Sequence, residues 1–116
     1  MKQYMNTRRA IDSIFKLKDN IRGLITTTLR NHNLPKTSKT TTIVGCSIPL
    51  LKNHLDYTFW LNYGRYPTPE DKLHIDHVVP VSKATTEDEL LKLNHYSNLQ
   101  YLLASDNISK SNRYYN

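Results

Sequence analysis

Two short segments carry residue types able to hydrolyse a phosphodiester. One is His74-Ile75-Asp76-His77-Val78-Val79-Pro80; the other, downstream, is Asn98-Leu99-Gln100 followed by Asn107-Ile108-Ser109-Lys110. The reaction needs a base for the attacking water and a cation for the charge that builds on phosphorus and the leaving oxygen. His77 suits the base, because an imidazole titrates near neutrality. The Asp76 carboxylate and the Asn107 amide carbonyl are hard oxygen donors, a pair that favours Mg2+ or Mn2+ with water and substrate phosphate completing an octahedron. His74 shares the strand face of Asp76. There it could bind phosphate, assist the metal or pack at the edge, with the substrate side preferred. Zinc fits badly, since structural zinc sites need four closely held Cys or His ligands and this chain has one cysteine, Cys46, and no CxxC or HxxxH pair.

These residues need elements that bring them together. Residues 73 to 81, rich in Ile, Val and His and ending near Pro80, predict a short strand running into a loop, and residues 99 to 103 predict its partner. Ser105 or Asp106 would then cap a helix on which Asn107, Lys110 and Ser111 share a face. Asp76 and His77 are adjacent, so on a regular strand they point to opposite faces and can cooperate only where the strand ends or twists. Between the strands, Thr86 and Glu89 form a capping box for a helix carrying Leu90, Leu91 and Leu93 to about Asn94.

Upstream, apolar residues from Ile11 to Leu29 recur at spacings of three and four, which predicts an amphipathic helix over about 7 to 31. Its other face carries Arg8, Arg9, Lys16, Lys18, Arg22 and Arg30, and Gly23 with three consecutive threonines lowers helix propensity enough to expect a break around 23 to 28. A polar loop follows, in which Lys36 and Lys39 are placed to meet backbone phosphates. Ser47 caps a helix running to about Leu61, with Pro49 in its first turn. In the next loop Arg65 could meet DNA, with ordinary loop packing as the alternative. His32 and His54 read as helix-surface residues, and His95 as a cap or structural contact. Asn98 by itself suits a turn, and Lys110 by itself could be a solvated helix charge.

The order Asp76-His77, Asn98, then Asn107 with Lys110 resembles the HNH endonucleases of the ββα-metal fold, especially small phage and intron-borne (homing) members. The motif covers residues 71 to 112. SerLysThr at 38 to 40, GlyCysSer at 45 to 47 and AsnTyrGly at 62 to 64 extend the likeness to about two thirds of the chain. The resemblance implies Asp76 and Asn107 as metal ligands, His77 as general base, Asn98 as the residue that ties the loop and orients His77, and Lys110 as a phosphate contact. It also implies products with a 5′ phosphate and a 3′ hydroxyl. Asn at the third position departs from the founding pattern, which leaves cutting of one strand or two open.

Composition agrees with a nucleic-acid enzyme. The 116 residues leave room for one compact domain, with 1–70 as a basic helical region and 71–116 as the catalytic unit. The expected fold class is α+β, mainly helical, with a C-terminal ββα-metal unit. The formal net charge of +6 favours a polyanion, with double-stranded DNA the expected partner and RNA or nonspecific nucleic acid the alternative, as is an inactive DNA-binding module of the same fold. No small-molecule cofactor is expected. The first ten residues lack the apolar run of a secretory signal and no stretch is long enough to span a bilayer, so a cytoplasmic setting is expected, and the unpaired Cys46 suits a reducing one. One DNA-binding module buries only roughly 600–1,000 Å², so a homodimer or a partner protein would extend specificity.

Overall fold

The computed structural model describes residues 2–115, and the side chains of residues 11–110. Arg8, Arg9, Ser111 and the tail from 112 onward, singled out above for nucleic-acid contact or a shared helix face, therefore have side chains outside the described ones. The elements run α1 (Lys2–Asn31), α2 (Thr40–Val44), α3 (Ile48–Tyr63), β1 (Leu73–His77), α4 (Glu87–Leu93), β2 (Leu99–Leu103) and α5 (Ala104–Tyr115), with single 3-10 turns at Val81–Lys83 and Tyr96–Asn98. The protein is an α+β fold, mainly helical, with one antiparallel two-stranded sheet.

α1 spans 30 residues without a break. The expected interruption at Gly23 and the threonines does not occur, because tertiary contact outweighs propensity there. Leu17, Ile21, Ile25 and Leu29 form a fully covered stripe, and Thr28 returns its hydroxyl proton to the Leu24 carbonyl at 2.8 Å instead of competing for the backbone. The apolar stripe outruns its cover, however, since Ile11 and Phe15 remain exposed. The helix ends on Asn33 at φ 59, with the Leu34 amide reaching back to the Leu29 carbonyl at 2.9 Å, before Pro35 turns the chain away.

α3 is the central support. Ser47 caps it by accepting from the Leu50 amide, and Gly64 closes it in the left-handed conformation, slightly later than Leu61. Ile48, Leu51, Leu55 and Phe59 face inward and meet the α1 stripe, Val44 of α2, Leu90 of α4, and Leu99 and Tyr101 of β2.

A two-stranded sheet is marginal by itself and exposes two edges. Here α3 covers the free edge of β2 with three side chains. His54 Nε2–H donates to the Leu99 carbonyl at 3.0 Å, Thr58 Oγ1 accepts from the Tyr101 amide at 3.0 Å, and Tyr63 Oη accepts from the Leu103 amide at 3.0 Å. His54 is therefore a half-buried link between helix and sheet, not the surface residue that its helical position suggests. Tyr63 also donates to Asp106 Oδ2 at 2.6 Å. α5 begins directly at Ala104, with neither Ser105 nor Asp106 as its cap; Asp106 lies inside the first turn, where a carboxylate is favoured by the helix dipole. Tyr63→Phe deletes both bonds and should cost about 1–2 kcal/mol. A lowered urea midpoint at unchanged slope checks this, and an unchanged midpoint would contradict it.

Candidate catalytic site

Register places His74 opposite Leu102, Asp76 opposite Gln100 and His77 opposite Leu99. Leu99 and Tyr101 turn to the core while α5 meets the other face, so α5 meets the side chains of His74 and Asp76. Asn107 Nδ2 lies 3.1 Å from His74 Nδ1, and Lys110 Nζ donates to Asp76 Oδ2 at 2.5 Å and to the His77 carbonyl at 2.8 Å. One helical turn of α5 thus reaches both residues of the strand face. The Lys110–Asp76 pair is largely shielded, with side-chain exposures of 18% and 12%.

Gln100 is a participant that motif reading missed. Its Oε1 accepts from Asn62 Nδ2 at 3.0 Å, which turns its Nε2 toward Asp76 Oδ2 at 2.8 Å. The cross-strand position opposite Asp76 could have signalled it. Both hydrogen bonds to Asp76 fall on Oδ2, and Oδ1 takes none among the described residues.

His77 is the last residue of β1 and shares the strand face of its partner Leu99, the face opposite to that of Asp76. The ring meets Asn94, the residue that ends α4, with Nε2 2.8 Å from Oδ1. This corrects the expectation that Asn98 orients His77. Asn98 instead spans the loop: its Oδ1 accepts from the Val79 amide at 2.8 Å, its Nδ2 donates to the carbonyls of Val79 at 3.0 Å and Leu93 at 2.8 Å, and its own carbonyl accepts from the Val78 amide at 2.8 Å. Burial holds the His77 imidazole below its ordinary pKa, against opposing pulls from the Asn94 bond and the Asp76 charge, while the Lys110 charge lowers it further. The net direction favours the unprotonated ring, the form a base needs.

The inserted loop is anchored at both ends. Thr86 accepts from the Glu89 amide at 3.1 Å, and Glu89 reaches back to Thr85, one residue earlier than a capping box requires. His95 packs over Gly45, where a β-carbon would stand 2.5 Å from its Nε2, and Gly45 also has φ +85, so any side chain here would be strained and would displace the His95 ring.

Other expected contacts lie elsewhere. Arg65 is engaged by Asp71 in a two-point ion pair at 2.9 and 3.0 Å and stacks over Phe59 at 5.1 Å, so its guanidinium closes the 65–71 loop. The same pair holds the Asp71 carboxyl well below the usual carboxylate range. Lys36 and Lys39 belong to the α1–α2 connection, outside the strand-and-helix unit. A cleft of ≈ 1230 Å³ opens beside His74 and Asn107, with Asp12, Asp19, Glu70 and Lys16 among its other lining residues.

Among the described residues no group of three or more His, Cys, Asp and Glu is placed to hold a metal, so a closed all-protein cage is not what these side chains offer. Asp76 Oδ1 and Asn107 Oδ1 are the donors left without hydrogen bonds among the described residues, both from the β1–α5 face. Two hard oxygens suit magnesium, which keeps most of its waters and binds proteins through one or two such ligands. Among the described residues no helix is long and apolar enough to cross a membrane. Comparison with protein-family models, with curated proteins and with solved structures finds no match.

Proposed function

We propose that this protein is a metal-dependent endonuclease of the HNH kind that hydrolyses phosphodiester bonds in DNA, and that β1, β2 and α5 form its ββα unit. The observation that carries this reading is that one strand end holds an imidazole, His77, next to a carboxylate, Asp76, and that a helix brings an amide and an ammonium to the same strand.

In the proposed reaction His77 takes a proton from water, and the hydroxide formed attacks phosphorus in line with the 3′ oxygen. The P–O3′ bond breaks, the 3′ oxygen leaves and is protonated by solvent, and the products carry a 5′ phosphate and a 3′ hydroxyl. Asp76 and Asn107 would hold the divalent ion. That ion would supply positive charge to the phosphorane and the departing oxygen. Lys110, which donates to Asp76 at 2.5 Å and to the His77 carbonyl at 2.8 Å, would have to exchange one of these partners to meet a substrate phosphate.

Conversion of supercoiled plasmid tests this directly. Nicking or linearisation with Mg2+ or Mn2+ that EDTA stops, leaving 3′ hydroxyl ends, is expected; 3′ phosphate ends would reject the route. The acid limb of the rate profile should lie below about 6.5, the ordinary imidazole value, because the depressed pKa keeps His77 in its basic form to lower pH. A divalent ion at Asp76 would act in the same direction. A limb above 6.5 in the rate of plasmid conversion would contradict it.

A second reading is a DNA-binding module without turnover. It draws on Lys110, whose ammonium already neutralises Asp76. Plasmid bound but left intact under both metals would favour it.

A further inference from the structure

Asn94 lies outside the segments His74–Pro80, Asn98–Gln100 and Asn107–Lys110, yet it is a fully buried polar side chain, 0% exposed, that touches the proposed base. Its Nδ2 donates to the Leu90 carbonyl at 3.0 Å, one turn back in α4. A carbonyl only accepts, so the amide orientation is set by that bond and the group facing His77 is Oδ1. An amide oxygen also only accepts. The hydrogen between Oδ1 and His77 Nε2, 2.8 Å apart, must therefore sit on the imidazole.

We propose that Asn94 is a positioning residue that holds His77 in the tautomer with its proton on Nε2, leaving the lone pair on Nδ1 as the proton acceptor of the site. Among the described residues Nδ1 takes no hydrogen bond, so no described side chain competes for that lone pair. The fold explains why a residue so far along the chain does this. Asn94 ends α4, its amide bonds the Leu91 carbonyl at 3.1 Å, and the next turn brings Asn98 to tie the same loop back to Val79. The inserted helix thereby acts as the clamp of the base, with Asn98 holding the backbone and Asn94 holding the ring. A solely structural Asn94 would cap α4 and be indifferent to which imidazole nitrogen carries the proton.

The functional meaning rests on the nuclease reading, but the tautomer can be measured without DNA. Imidazole 15N–1H correlation spectra of 15N-labelled protein at pH 8, with His77→Gln to assign the signals, should show His77 protonated at Nε2 and bare at Nδ1 in the wild type. Asn94→Asp, which keeps an acceptor oxygen, should preserve that pattern; Asn94→Leu, of similar size without an acceptor, should lose it. In the plasmid assay Asn94→Leu should lower kcat by roughly 10²-fold, the low end of what a general base supplies, with KM unchanged and with rescue by Asn94→Asp. A wild-type His77 protonated at Nδ1, or an Asn94→Leu variant with an unaltered tautomer, would overturn the proposal. If Asn94→Leu does not fold, the wild-type and Asn94→Asp spectra still decide. An Nε2–H ring in a protein that never cuts would count against the nuclease and not against the hold of Asn94 on His77.

Discussion

His77→Ala is expected to reduce metal-dependent conversion of supercoiled plasmid by about 10²–10⁴-fold, the range that a positioned general base contributes, while leaving DNA binding near its wild-type strength. The separation of the two effects follows from where the ring lies. His77 is half-buried at the end of β1 with its Nε2 committed to Asn94, so it offers little surface to a DNA backbone, whereas Lys110 and the positive balance of the chain remain in the variant. The substitution does leave Asn94 Oδ1 without its donor, and a modest loss of stability is expected beside the loss of turnover. Cleavage by His77→Ala at the wild-type rate would remove the imidazole from the mechanism. Loss of binding together with cleavage would place His77 in substrate contact instead.

The largest effect on stability should come from Phe59→Ala, at about 3–5 kcal/mol, against a total of about 5–15 kcal/mol for an ordinary domain. Phe59 is fully buried on the inner face of α3. Its ring packs against Tyr63 with centroids 4.4 Å apart and carries the Arg65 guanidinium at 5.1 Å. The cavity would therefore loosen the tyrosine that ties β2 to α5 as well as the arginine that closes the 65–71 loop, and it would weaken the support of Lys110 and Asn107 at a distance. Tyr57→Ala, on the outer face of the same helix and 52% exposed, should shift stability by no more than about 0.5 kcal/mol. Urea midpoints of the two variants check the contrast, and equal losses would contradict the inward placement of Phe59.

The elements themselves were legible to different depths. Period and caps locate α1, α3 and α4, because Ser47, Thr86 and the i, i+4 apolar stripe act through contacts only a few residues long. The expected break in α1 failed for the opposite reason: propensity is local, and the burial of Ile21, Ile25 and Thr28 against the rest of the fold overrides it. The missing cap on α5 is similar. Asp106 is held by Tyr63 from a helix far back in the chain, a contact that no pattern around residue 106 encodes.

At the candidate site, the residue types alone fix which chemistries are on offer: an imidazole beside a carboxylate, an amide and an ammonium one helical turn apart, and hard oxygen donors in place of a cysteine cage. Residue type and helical or strand period suffice for that, since they depend on covalent structure and on neighbours along the chain. The partners of these groups depend on the folded chain. It assigned the ring of His77 to Asn94 and the loop backbone to Asn98, brought Gln100 and Lys110 onto one oxygen of Asp76, and paired Arg65 with Asp71. A hydrogen bond is decided over about 3 Å and by direction. Two asparagines four residues apart on one loop look equivalent in sequence, and the turn between them points one at the imidazole and the other at the backbone.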